Sequence, residues 1–285
     1  MTRCPVKSTG WLADHLDDGD LRLVDASWHL PTAGRDAEKE YLEAHIKGAV
    51  FFDIDRYAAV SDLPHMMPSE AEFSLFAGEL GISQNSRIVV YDSPGLFSAA
   101  RVWWMFRVFG APAVYVLDGG LRKWMKEGRS VENGVVEPRS AVFNAELAPH
   151  VIVDAEQVLQ AANSGSAQIF DARSLARFTA EEKESRPGLR SGHIPGSFSL
   201  PITDLLHKGC LKTPEQLKAV FAKRQFDARK PVITSCGSGV TAAAICLALE
   251  CMGVTGAQIY DGSWSEWGGR TDLPVATGTD NKTTG

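Results

Sequence analysis

The feature that most narrows the fold of this chain is internal repetition. Leu23-Val24-Asp25-Ala26 returns as Ile169-Phe170-Asp171-Ala172, 146 residues on, and Gly19 and Gly165 keep that spacing. His45-Ile46-Lys47-Gly48 returns as His193-Ile194-Pro195-Gly196, at a spacing of 148. Val89-Val90-Tyr91 returns as Val232-Ile233-Thr234, and Asp118-Gly119 with Trp124 returns as Asp261-Gly262 with Trp267, both at a spacing of 143. Four matches in one order, with a spacing that drifts as loop insertions make it drift, define two copies of one unit. We place the first copy over residues 1–132, a linker over 133–149, the second copy over 150–277 and a frayed tail over 278–285. The linker region lacks periodicity and contains Gly134, Pro138 and Pro149.

Each copy alternates β-branched runs with amphipathic stretches. Strands are expected near 21–26, 50–52, 87–91 and 113–117, and again near 168–171, 197–200, 231–235 and 258–260. Helices are expected near 10–16, 37–44, 70–80, 98–109 and 121–126, then near 155–162, 214–223 and 240–252. Thr213-Pro214 is the order of an N-cap and a first helical residue. Strand–helix alternation implies an α/β fold of two tandem domains, each a mostly parallel sheet flanked by helices.

Composition bounds the function. With 44% hydrophobic and 22% charged residues, the chain reads as a soluble globular protein. A net charge of −6 argues against nucleic acid, and no apolar run is long enough to span a membrane. The N-terminus lacks the apolar stretch of a secretion signal. Five cysteines, an odd number without CxxC or metal-ligand spacing, imply a reducing, cytoplasmic setting and no metal. Cys246 and Cys251 read as helix core, and Cys4 and Cys210 as incidental. Tandem copies already supply an internal interface, so a monomer is expected.

One cysteine stands apart. Cys236 follows the strand-like run Pro231-Val232-Ile233-Thr234 and opens Cys236-Gly237-Ser238-Gly239-Val240-Thr241, which runs into a helix. Inward-pointing backbone N–H groups and the helix dipole there favour negative charge on a sulfur. At a spacing of 143, Cys236 aligns with Ser93 and Ser235 with Asp92, so the first copy carries no thiol. A phosphatase loop needs an arginine where Ala242 stands. A Cys–His hydrolase needs a base beside the nucleophile, and none is evident in the neighbouring sequence. A persulfide carrier or redox-responsive binding module, without turnover, is the reading from another class. His45 and His193, and Asp25 and Asp171, recur in both copies and so read as structural.

These motifs resemble the two-domain rhodanese superfamily. The resemblance is carried by Cys236 to Thr241, by His193-Ile194-Pro195-Gly196, by Tyr260-Asp261-Gly262-Ser263-Trp264, by Phe51-Phe52-Asp53-Ile54-Asp55 and by Arg101-Val102-Trp103-Trp104-Met105-Phe106. Gly237 and Ser238, where thiosulfate-using members usually carry basic residues, resemble the mercaptopyruvate-using branch. The resemblance implies transfer of sulfur from 3-mercaptopyruvate, through a persulfide on Cys236, to a thiol, sulfite or cyanide. It implies pyruvate as product, no cofactor, and thioredoxin-like dithiols among the acceptors. Arg177 and Arg186 match its two substrate-binding arginines, with Arg173 and Arg190 as nearby competitors. Their planar forks suit a carboxylate. Gly237, Gly239, Val240 and Thr241 would complete the substrate site, Thr241 either as a hydroxyl donor or as a helix cap. Ser238, His65 and Asp55 match a proton relay that reaches across the two copies. Thiosulfate remains the alternative donor.

Overall fold

The computed structural model describes residues 4–279. The first copy runs through β1 (Val6–Lys7), α1 (Thr9–His15), β2 (Leu21–Asp25), α2 (Ala37–Glu43), β3 (Ala49–Phe51), α3 (Glu70–Glu79), β4 (Arg87–Tyr91), α4 (Ala99–Val108), β5 (Ala113–Leu117) and α5 (Gly120–Lys126). The second runs through β6 (Ile152–Val153), α6 (Ala155–Ser164), β7 (Gln168–Asp171), α7 (Leu175–Thr179), β8 (Phe198–Ser199) and α8 (Ile202–Leu205). A small hairpin of β9 (Leu206–His207) and β10 (Cys210–Leu211) follows, then α9 (Pro214–Ala222), β11 (Val232–Ser235), α10 (Ala242–Cys251), β12 (Gln258–Tyr260) and α11 (Ser263–Trp267).

Two five-stranded sheets result, ordered β1-β5-β4-β2-β3 and β6-β12-β11-β7-β8, and every pairing within them is parallel. This is the expected α/β fold, drawn twice. The central strands β4 and β11 are buried on both faces because helices cover both sides. Capping follows the local chemistry. Thr213 caps α9 with Pro214 in its first turn, and Ser69 and Glu72 form a capping box on α3.

The strands and helices read from periodicity are present, and the differences have local causes. β1, β6 and the β9–β10 hairpin have two residues per strand and hold no period to read. α7 and α11 are five-residue turns inside loops. Residues 133–149 contain no helix or strand, yet they are strapped to the first copy. Phe143 is buried against Phe73 and Phe106, and the Ala141 N–H donates to the Gly78 carbonyl at 3.0 Å. The tail expected over 278–285 lies outside the described residues from Asp280 on. Gly278 itself donates its N–H to the Thr179 carbonyl.

The two copies meet through α4 and α10, which are buried along nearly their whole lengths within one shared hydrophobic core. Arg107 on α4 pairs with Glu250 on α10 at 2.5 Å. Beside that pair, Cys4 and Cys251 are joined by a disulfide, 247 residues apart in sequence. This corrects the expectation that Cys4 is incidental and Cys251 only core, and it takes away the cysteine-count argument for a reducing setting. Sequence spacing carries no sign that the segment before β1 returns to the end of α10. Cys246 is core as expected, and burial pushes its thiol up to about 12. No helix among the described residues is long and apolar enough to cross a membrane.

Candidate active site

The register of the two sheets aligns the copies directly. Tyr91 pairs with Asp25 at the end of β4, and Ser235 pairs with Asp171 at the end of β11. Asp92, not Ser93, is therefore the structural counterpart of Cys236, a correction to the alignment made at constant spacing. The first loop is one residue longer than the second before its helix resumes, which shifts the apparent register. Neighbouring bonds agree. The Cys236 carbonyl accepts the Trp264 N–H, and the Asp92 carbonyl accepts the Leu121 N–H.

The two loops use their amides differently. In the first copy the Asp92 carboxylate accepts N–H groups from Gly95, Leu96, Phe97, Ser98 and Ala99, at 2.6–2.9 Å. A fixed anion thus fills that cradle. In the second copy the N–H groups of Gly237 to Thr241 have no hydrogen-bond acceptor among the described residues. The loop is held from behind instead. The carbonyls of Cys236 and Gly237 accept N–H groups from Trp264 and Ser265, and the Cys236 N–H donates to Ser263 Oγ. With the Cys236 and Gly237 carbonyls tied to α11, the loop keeps its N–H groups without a protein acceptor among the described residues just before the N-terminus of α10, a setting that suits anions.

Cys236 is buried at the base of a cavity of about 380 Å³. Gly237, Ser238, Val240 and Thr241 line it with the cysteine, as do Arg177 and Arg186. Thr241 makes no side-chain capping bond, so its hydroxyl is not spent on the helix start. Gly239 does not line the cavity. It has φ +76°, and a Cβ there would lie 3.1 Å from the Asp261 carbonyl oxygen, so it serves as the turn beneath the loop.

The four arginines separate by partner. Arg173 is buried against Asp171 and Glu184 and stacks over Trp264. Arg190 donates to the carbonyls of Trp267, Gly268, Arg270 and Leu273. Both are structural ties. Arg177 pairs with the buried Glu184 at 2.5 Å but keeps about a quarter of its side chain exposed. Arg186 donates to Ser265 Oγ at 2.5 Å and pairs with no carboxylate among the described residues. Burial works against its charge, and the Cys236 sulfur offsets part of that cost.

Ser238, His65 and Asp55 come together as a chain. His65 Nδ1 lies 2.9 Å from Ser238 Oγ, and Nε2 lies 2.8 Å from Asp55 Oδ1. The bond to His65 holds the Asp55 carboxyl below the usual carboxylate range. An ionised Asp55 only accepts, so Nε2 carries the proton and Nδ1 is left to accept from Ser238. Neither His65 nor Asp55 lines the cavity; they reach it through Ser238. Sequence reasoning missed Trp28. Its Nε1–H donates to Asp55 Oδ2 at 2.8 Å, and its ring meets the His65 ring edge to face at 4.9 Å. Only its place three residues after Asp25, the end of β2, hints at the cavity.

His45 and His193 lie elsewhere. Each donates Nδ1–H to a carbonyl, of Tyr41 and Phe178 respectively, and each anchors a backbone bridge, to Glu132 and Ala276.

Known proteins resemble this chain over nearly its whole length. The family model for the rhodanese-like domain matches residues 8–127 and again 154–270. The 3-mercaptopyruvate sulfurtransferase of Escherichia coli strain K12 is 48% identical over 267 residues, spanning 93% of this chain and 95% of that protein. The thiosulfate sulfurtransferase of Mus musculus is 45% identical over 269 residues, spanning 91% and 90%. The crystal structure of SseA from Escherichia coli, a 3-mercaptopyruvate sulfotransferase, superposes with a TM-score of 0.85 at 44% identity, covering 91% of this chain and 98% of that one.

Proposed function

The chain belongs to the rhodanese family, and we propose that it acts as a 3-mercaptopyruvate sulfurtransferase through a persulfide on Cys236. The observation that carries this reading is the pairing of a loop of unengaged N–H groups with two arginines across one cavity. The amides suit an anionic sulfur, and Arg177 and Arg186 suit the substrate's carboxylate and keto oxygen.

The Cys236 thiolate attacks the thiol sulfur of mercaptopyruvate. A sulfur–sulfur bond forms, the carbon–sulfur bond breaks, and its electron pair leaves on pyruvate enolate. Ser238 hands its hydroxyl proton to the enolate, giving pyruvate, and the proton that the substrate's thiol gives up as the persulfide ionises returns to Ser238 by way of His65 Nδ1, with His65 oriented by Asp55. An acceptor thiolate, sulfite or cyanide then attacks the outer sulfur and returns Cys236 as thiolate. The protein works as a soluble monomer in the cytoplasm, without a metal or organic cofactor, and thioredoxin-like dithiols are suitable acceptors. The boundaries that best suit the two units are 1–132 and 150–277.

The 45% identity to a thiosulfate sulfurtransferase keeps one alternative in view. Initial rates with mercaptopyruvate and with thiosulfate, for wild type and Arg186→Ala, separate the two. Charged hydrogen bonds are worth roughly 1.5–3 kcal/mol, so Arg186→Ala raises KM for mercaptopyruvate about ten- to a hundredfold. Wild-type turnover of thiosulfate equal to or better than that of mercaptopyruvate contradicts the donor assignment.

A further inference from the structure

We infer that Arg101 of the first copy and Asp261 of the second form a clamp that sets His65 in position for proton delivery; this rests on the relay proposed above. Arg101 lies on α4 and is fully buried. Its Nη2 donates both to the His65 carbonyl at 2.8 Å and to Asp261 Oδ1 at 2.6 Å. The other oxygen of Asp261 accepts the Met67 N–H at 2.8 Å. The backbone is thus held at the His65 carbonyl and at the Met67 N–H, on either side of Met66, by two charges that belong to different copies.

The segment needs such a hold. His65 has φ +60°, a left-handed conformation that a non-glycine residue keeps only where its surroundings impose it. The imidazole serves the relay only if Nδ1 meets Ser238 and Nε2 meets Asp55 at once, and a relaxed backbone loses both bonds together. The clamp also touches the reactive loop. A Cβ at Gly239 would lie 3.3 Å from Arg101 Nη1 and 3.4 Å from Asp261 Oδ1, so the same pair supports the turn that carries Ser238.

The placement is expensive for stability alone. Nε and Nη1 of Arg101 have no hydrogen-bond partner among the described residues, and the nearby Trp104 ring, 5.0 Å away, offers only its face. A buried ion pair of this kind is weak support for a fold and better suited to fixing one arrangement. The second copy has no such residue. Helix α10 carries Ala244 where α4 carries Arg101, so the fold itself does not require the charge. Arg101 does not line the cavity that holds Cys236 and is a positioning residue, acting through His65.

A double-mutant cycle on the full chain tests this. Single-turnover pyruvate release from mercaptopyruvate is measured for wild type, Arg101→Lys, Asp261→Asn, His65→Ala and each clamp variant combined with His65→Ala. General acid–base steps contribute about a hundredfold or more, so a misplaced His65 slows release at least about tenfold in Arg101→Lys. KM for mercaptopyruvate stays near the wild-type value, and the clamp substitutions have no further effect once His65 is alanine. Asp261→Asn preserves the shape of the pair and frees Met67, and it reports on the same clamp should Arg101→Lys fold poorly. Equal slowing in both His65 backgrounds assigns the residues a general structural role and overturns the inference. Unchanged release in both clamp variants, while His65→Ala is slow, overturns it also. Unchanged release in His65→Ala overturns the relay itself and the clamp with it.

Discussion

Asp25 and Asp171 show how one position serves two ends. Asp171 has Arg173 two residues on and is bonded to it. In the first copy that place is Ser27, so Asp25 accepts hydrogen bonds from Ser27 and Tyr91 but has no ion pair among the described residues. Burial pushes the Asp25 carboxyl up to about 6. The unfolded chain ionises this group near the ordinary carboxylate value of about 4, and the native state holds the proton longer. Stability is therefore lost as pH rises from about 4 to about 6, and the loss of on the order of 3 kcal/mol persists above that range. Asp25→Asn cannot ionise, so its thermal midpoint relative to wild type should improve between about pH 4 and pH 7. The same difference at both pH values contradicts this. The recurrence of Asp25 was legible in the sequence, but its missing partner required the fold. Arg177 and Arg186 were legible by resemblance; that Glu184 ties up Arg177 while Arg186 has no carboxylate was not, because charge partners across loops leave no periodic trace.

At the scale of elements, the twin loops differ by one residue and one functional group. Asp92 supplies the first loop with a permanent anion bonded to five backbone N–H groups. Asp92→Ala leaves those donors without their acceptor, and a hydrogen bond to a charged group is worth roughly 1.5–3 kcal/mol. The urea unfolding midpoint should fall by the equivalent of at least about 3 kcal/mol. An unchanged midpoint contradicts the cradle. The long strands and helices were readable because each holds its period over several residues. Two-residue edge strands and five-residue helices are too short to show one, so β1, β6, α7 and α11 emerged only in the structure, although Ser174 caps α7. Aligning copies at constant spacing likewise placed Ser93 opposite Cys236, since a single inserted residue in a loop is silent until strand pairing fixes the register.

At the scale of the whole molecule, a copy without a loop thiol packs against a copy that carries one. The first copy contributes Asp55, His65, Arg101 and the Trp28 wall; the second contributes the loop and the arginines. The Cys4–Cys251 disulfide fastens the two at the far end of α10 from the reactive loop. A link closing so long a stretch restricts the unfolded chain and contributes about 2–4 kcal/mol. Reduction should lower the thermal midpoint of wild type, and Cys251→Ala should show no further drop on reduction. A midpoint insensitive to reductant in wild type contradicts the link. The central claim is that sulfur rests on Cys236 between two half-reactions. Intact-mass and peptide mass spectrometry after one turnover with mercaptopyruvate, without acceptor, tests it most directly. One added sulfur on the Cys236 peptide, with one pyruvate released and neither seen in Cys236→Ser, is the expected result; pyruvate released with no sulfur retained, or sulfur retained in Cys236→Ser, contradicts it.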